Sequence, residues 1–180
     1  MPAGTGPVVS PAVGSVHDRC LQDLALLFQG LNLQGSSQQS NIAEHVYAKS
    51  LADDLSDVLL PAVLVTTEGG EELLEQESVE NRAWGYPCAV LLVDNAAPTN
   101  PDIRPDLLSW RHSLMVAVDE APARSTRVLA STPECWTLSL RPRSVFEKRS
   151  RSGNSGLPSY MLLVSSFVVI CHVNEARNRS

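Results

Sequence analysis

The chain has 180 residues, 14 Lys and Arg against 20 Asp and Glu, and a formal net charge of −6. Hydrophobic residues make up 43% of it, enough to bury a core, and the length suits one domain of the usual ~100–200 residues. Wholesale disorder and a globally basic nucleic-acid binder are thereby excluded.

Residues 1–14, rich in Pro, Gly and Ala, read as an arm, and residues 15–180 as a single domain. The opening MPAGTGPVVSPAVGS has no basic residue ahead of its apolar positions, so no secretion signal is expected. Ser15 with Asp18 three residues later resembles a capping box. Val16, Cys20, Leu24, Leu27, Phe28 and Leu31 then share one helical face, and Gly30 and Gly35 bracket the stop. The polar tract 35–41 reads as a loop. Residues 44–51 fit a short strand, with a helix running through Asp57 as competitor. Residues 59–67 (LLPAVLVTT) read as a strand in which Pro61 is confined to the start or to a sheet edge.

An acidic loop follows, with Glu68, Glu71, Glu72, Glu75, Glu77 and Glu80 uninterrupted by Lys or Arg. Residues 84–94 form the next strand, whose apolar run 89–93 predicts cover on both faces. Pro105 opens a second helix; Leu107, Trp110, Leu114 and Val118 form its buried stripe, Arg111 and Asp119 lie outside, and Pro122 ends it. Residues 135–141 alternate Trp136, Leu138 and Leu140 against Cys135, Thr137, Ser139 and Arg141, as a half-exposed antiparallel strand does. A long loop, 144–158, precedes the last and longest strand, 160–173, where Ser165 and Ser166 suggest a bulge. At its core, the dense apolar run 161–173 contains two serines and a histidine and is shorter than the ~20 residues of a membrane helix. The order helix, two or three strands, helix, two strands predicts an α+β fold: two helices packed on one face of a four- to five-stranded, mainly antiparallel sheet.

Charge is distributed unevenly. Residues 1–140 hold 7 basic and 18 acidic side chains, a balance of −11, whereas residues 141–180 hold 7 and 2, a balance of +5. In RPRSVFEKRSR (141–151), Arg141, Arg143, Lys148, Arg149 and Arg151 face Glu147 alone. Opposite patches on one chain steer copies of it head-to-tail. Taken singly, each run is an ordinary solvated segment.

Little else carries chemistry. There is no G-x-S-x-G, no P-loop, no G-x-G-x-x-G and no protease-type cysteine context. His17, His45, His112 and His172 are scattered. Cys20, Cys88, Cys135 and Cys171 form no CxxC pair, so reduced thiols in an intracellular protein are expected. Cys171 and His172, neighbours in a strand, point to opposite faces. GGEELLEQE lacks the Asp/Asn ligand ladder of a calcium loop. No catalytic residue, cofactor or metal is expected.

Four segments, LLPAVLVTTEG, GYPCAVLLVDN, LLSWRHSLMVAV and VVICHVNEARNRS, follow one another in a familiar layout. Strands open on a proline, a helix carries a Trp-Arg pair, and a long last strand runs into a mixed-charge tail. Across residues 16–177 the chain resembles the tail terminator and tail-completion (head-to-tail joining, neck) proteins of long-tailed bacteriophages, although its N-terminal arm and acidic loop are longer. The resemblance implies a structural virion protein without enzyme activity or cofactor. It implies a ring, usually of six copies, that ends the tail tube and joins it to the neck or connector, assembled in the host cytoplasm. Tail-tube and neck proteins are then the partners, DNA passes without specific binding, and no membrane is involved. In such a ring Arg141, Arg143, Lys148, Arg149 and Arg151 are the expected contacts, with Glu71, Glu72, Glu75 and Glu77 as their partners or as lumen lining. The alternatives are a small cytosolic adaptor that binds a partner or RNA through 141–158, with Phe146 stacking a base, and a small enzyme built from distant Cys and His residues.

Overall fold

The computed structural model describes residues 15–33, 42–49, 58–75, 81–95, 105–124, 135–151 and 160–176. The expected arm 1–14, the polar tract 35–41, the segment 50–57, Glu77 and Glu80, and the stretch 152–158 lie outside the described residues.

The first helix, α1, spans Val16–Gln29 and begins as the sequence requires. The Asp18 amide donates to Ser15 Oγ and the Ser15 amide donates to Asp18 Oδ2, both at 3.2 Å. Aspartate thus closes the capping box usually closed by glutamate. Gly30 caps the other end with φ −77°, a right-handed conformation rather than the left-handed one common at helix stops. A 3-10 turn, Ile42–His45, leads into β1, Val46–Lys49, so the strand reading holds there. Pro61 directly precedes β2, Ala62–Thr67, which lies between two neighbours: the proline marks a start, not an edge.

The centre of the sheet is one long antiparallel ribbon. β4, Asn81–Asn95, pairs along all 15 of its residues with β7, Tyr160–Ala176, from Asn81 opposite Ala176 to Asn95 opposite Leu162. The expected bulge at Ser165 and Ser166 is absent; Leu92 and Leu91 face them in unbroken register. Each flank of this ribbon carries two strands laid end to end. On the β4 side, β2 covers Val93 to Cys88, and a further strand, β3 (Glu72–Glu75), covers Gly85 to Ala83. On the β7 side, β5 (Cys135–Pro142) covers Val173 to Phe167, and β6 (Glu147–Arg151) covers Val164 to Tyr160. β1 runs parallel to β2, and every other pair is antiparallel. The sheet therefore has five strands across, β1-β2-β4-β7-β5, and seven in all with β3 and β6.

The acidic and basic segments read as loops thus each contain a strand. Neither has strand composition; each is held because the ribbon extends beyond the strand before it and offers a free edge.

The second helix, α2, is Pro105–Arg124, and it runs past Pro122, which does not end it. Leu107, Trp110, Leu114 and Val118 are buried as expected. Arg111, expected outside, is buried as well. One core cluster gathers Cys20, Leu24 and Phe28 of α1 and the α2 stripe with Val63, Val65, Cys88, Val90, Phe167, Val169 and Cys171 from alternate sheet positions. Both helices therefore share one buried cluster with these sheet positions. Residues at the intervening positions, Ala62, Leu64, Ala89, Leu91, Val93, Leu162 and Val164, form a second buried cluster with Tyr47. The run 89–93 is accordingly covered on both faces, as its composition predicts. A register shift between Cys135 and Thr137 brings Cys135 into the same core as Leu138, not onto the opposite face that strict alternation gives. Each fully buried Leu or Phe contributes about 1.5–3 kcal/mol relative to exposure.

Candidate functional site

The two breaks between end-to-end strands organise the polar chemistry. The first separates β2 from β3. Pro87 of β4 has no N–H to offer its flank at this level, and the flanking strand is interrupted there. Gly69, at φ +71°, makes the turn, a conformation that a side chain disfavours. The Pro87 carbonyl accepts two hydrogen bonds, from the Glu68 amide at 3.0 Å and from His17 Nε2 of α1 at 2.8 Å. The His17 ring also meets Tyr86 edge-on, with centroids 5.5 Å apart.

The second break, residues 143–146, separates β5 from β6. Here Arg111 of α2 reaches into the sheet. Its Nη1 donates to Ser166 O at 2.6 Å, Ser165 Oγ at 3.0 Å and Ser144 O at 3.4 Å, and Nη2 donates to Arg143 O at 3.3 Å. The guanidinium lies 5.6 Å from the centroid of the Phe167 ring. Burial lowers its proton affinity from the ordinary arginine value. The serine pair read as a bulge is instead the receptor for this buried cation.

The breaks are joined across the ribbon. Arg143, in the second break, pairs with Glu68, in the first. Beside them Arg141 of β5 reaches Glu72 of β3, with Nη2 to Oε2 at 3.6 Å. Both pairs are half-exposed and span the two central strands. Of the nine charged residues expected at an interface, the structure thus brings Arg141 and Glu72 together within one chain, and Arg143 takes a different acid, Glu68. Glu71 is exposed in the turn before β3. Glu75 lies in β3, and Lys148, Arg149 and Arg151 lie in β6, on the opposite flank.

Two further constellations escape sequence reading. The first is a buried thiol cluster. The Cys171 thiol contacts those of Cys135, Cys20 and Cys88, and these contacts together with burial push its pKa well above the ordinary thiol value. Cys88 is lowered to about 7 by the Cys171 thiol and by His17, against the opposing effect of burial. The same neighbours act back on His17, which is raised by Cys88 first and by the Pro87 carbonyl, although burial lowers it. All four cysteines are free, and none is more than 2% exposed. The Cys88 and Cys135 thiols donate to the Tyr86 and Thr137 carbonyls at 3.5 Å. A buried thiol donating to carbonyls packs as a small hydrophobe and meets no reagent. Among the described residues no group of three or more His, Cys, Asp or Glu is arranged to hold a metal ion. The four cysteines are separated by dozens of residues; the β4–β7 and β5–β7 registers bring Cys88, Cys135 and Cys171 together, and the packing of α1 adds Cys20.

The second is a Ser139–His172 hydrogen bond, Oγ to Nε2 at 2.9 Å, on the sheet face opposite Cys171. Burial lowers the His172 pKa. Cys171 and His172 do face opposite sides, as their adjacency requires.

No helix among the described residues is long and apolar enough to cross a membrane. No protein-family model matches the chain, and no curated protein matches it.

Proposed function

We propose that the chain is a structural protein of a long-tailed phage particle, a subunit of a ring that terminates the tail tube and joins it to the neck. One observation carries this reading. The most acidic and the most basic segments form edge strands on opposite flanks of one sheet, β3 beside β4 and β6 beside β7. A subunit with unlike charges on its two edges makes heterologous contacts, which close into a ring when the rotation allows. The order of elements supports the same reading: an amphipathic helix, a proline-led strand, a Trp-Arg helix and a long last strand follow one another along the chain. In that particle the partners are tail-tube and neck proteins, and DNA crosses the ring without specific contacts.

Mass photometry and negative-stain imaging of the purified protein test the proposal. The expected result is a closed annulus with a central hole, its population falling as salt rises. Particles of monomer mass alone, at high concentration and low salt, overturn it.

A second reading, a small hydrolase, draws on the Ser139–His172 pair, since a hydroxyl within hydrogen-bond reach of an imidazole is the minimal activated nucleophile. Ester turnover lost equally in Ser139→Ala and His172→Ala is its expected signature. Unchanged background hydrolysis in both variants removes it.

A further inference from the structure

Among the described residues, β3 pairs only with β4 and β6 pairs only with β7, so each leaves one strand edge with no neighbour. The two edges sit on opposite flanks and toward opposite ends of the ribbon: β3 lies opposite Gly85–Ala83, and β6 opposite Val164–Tyr160, beyond Val93. Both β3 and β7 are antiparallel to β4, and β6 is antiparallel to β7; β3 and β6 therefore run in opposite directions within one chain. Copies arranged with their sheets in the same sense, and staggered along the strands so that opposite ends of the ribbon meet, then bring β6 of one against β3 of the next as an antiparallel pair. The sheet continues from subunit to subunit through main-chain hydrogen bonds.

Charge complementarity selects the register. β3 reads Glu72-Leu73-Leu74-Glu75, and β6 ends Lys148-Arg149-Ser150-Arg151. With Glu72 opposite Arg151, Leu73 falls opposite Ser150, Leu74 opposite Arg149 and Glu75 opposite Lys148. Both acids of β3 then lie against bases of β6, and opposite charges across a strand pair are favourable. The contact of Glu72 with Arg141 engages one carboxylate oxygen, Oε2, and leaves the side chain 45% exposed. Glu72 can therefore take a second cation without losing the first.

We infer that copies of this chain join by edge-to-edge strand pairing, β3 of one with β6 of the next, antiparallel, with Glu72 opposite Arg151. This rests on the ring reading above and names its contact. Strands β3 and β6 are separated by β4 and β7 within a chain, so residues 73 and 150 cannot be bridged inside one molecule.

The test is the double variant Leu73→Cys/Ser150→Cys in the full-length protein, oxidised and run on a non-reducing gel beside each single variant. The expected result is a ladder of cross-linked species ending at the ring mass, absent from the single variants and collapsed by dithiothreitol. Arg151→Glu is expected to raise the concentration needed for assembly about tenfold. Annuli without the cross-link, or assembly indifferent to Arg151→Glu, overturn the strand pairing and leave the ring. Monomers without any cross-link, in both the wild type and the variants, overturn the ring reading as well.

Discussion

The two strand breaks solve one structural problem with different chemistry. Between β2 and β3 the means are local: a proline that cannot donate, a glycine at positive φ, and an imidazole donating to one carbonyl. Between β5 and β6 there is no glycine, and a permanent cation delivered from α2 holds the carbonyls of residues 143, 144 and 166. The first break is secured chiefly by backbone preference. The second depends on one distant side chain, so the two should fail differently when perturbed.

Arg111→Leu should be the most damaging change. It removes four hydrogen bonds from a charged donor, and Ser144 O keeps only the Ser166 amide, at an expected cost of about 2–4 kcal/mol in chemical denaturation. A cost below that of the His17 variant would break the contrast between the breaks.

His17→Gln should cost less, about 1 kcal/mol, because it removes one hydrogen bond to a carbonyl that still accepts from Glu68. Its effect should depend on pH. The folded-state pKa of His17 is raised above 6.5, so its contribution is fully present below 6.5 and lost as pH rises through the folded value. The gap between wild type and variant, measured by urea titration, should therefore be larger near pH ~5 than near pH ~8. A gap that widens with pH contradicts the assignment.

Gly69→Ala should cost about 1 kcal/mol from backbone strain alone, since a Cβ there meets nothing within 4 Å. Smallest of all should be Arg143→Ala. Its pair with Glu68 links the two breaks but is half-exposed, and such pairs are worth about 0–1 kcal/mol. A large loss of stability would show that the link across the ribbon holds the breaks in place rather than merely joining them.

The same contrast explains what was legible in the sequence. Whatever depends on neighbours in the chain could be read: the Ser15–Asp18 cap, the α2 stripe, the two-sided burial of 89–93, and Pro61 at a strand start. The acidic segment reads as a loop throughout, and its strand does not show in the sequence, because Glu72–Glu75 is a strand by virtue of a partner rather than its own composition. Arg111 looked like a solvated helix residue, since nothing within four positions announces the carbonyls that surround it. Ser165 and Ser166 looked like a disturbance for the same reason. The four cysteines meet through strand registers, one shifted pair at Cys135 and the packing of α1, none of which a local pattern encodes. The opposite charges were plain in the sequence; that they occupy opposite edges of one sheet, and that Arg141 and Arg143 already hold Glu72 and Glu68, required the fold.

The interrupted flanks also bear on solubility. A ribbon of 15 paired residues would be a template for runaway stacking if its neighbours presented long, flat borders. Here the bordering strands β1, β3, β5 and β6 are only four to eight residues long, with two glutamates in β3 and three basic residues in β6. A stray chain that docks on such a border runs out of partners after a few rungs, and fibrous growth has nothing to zip along.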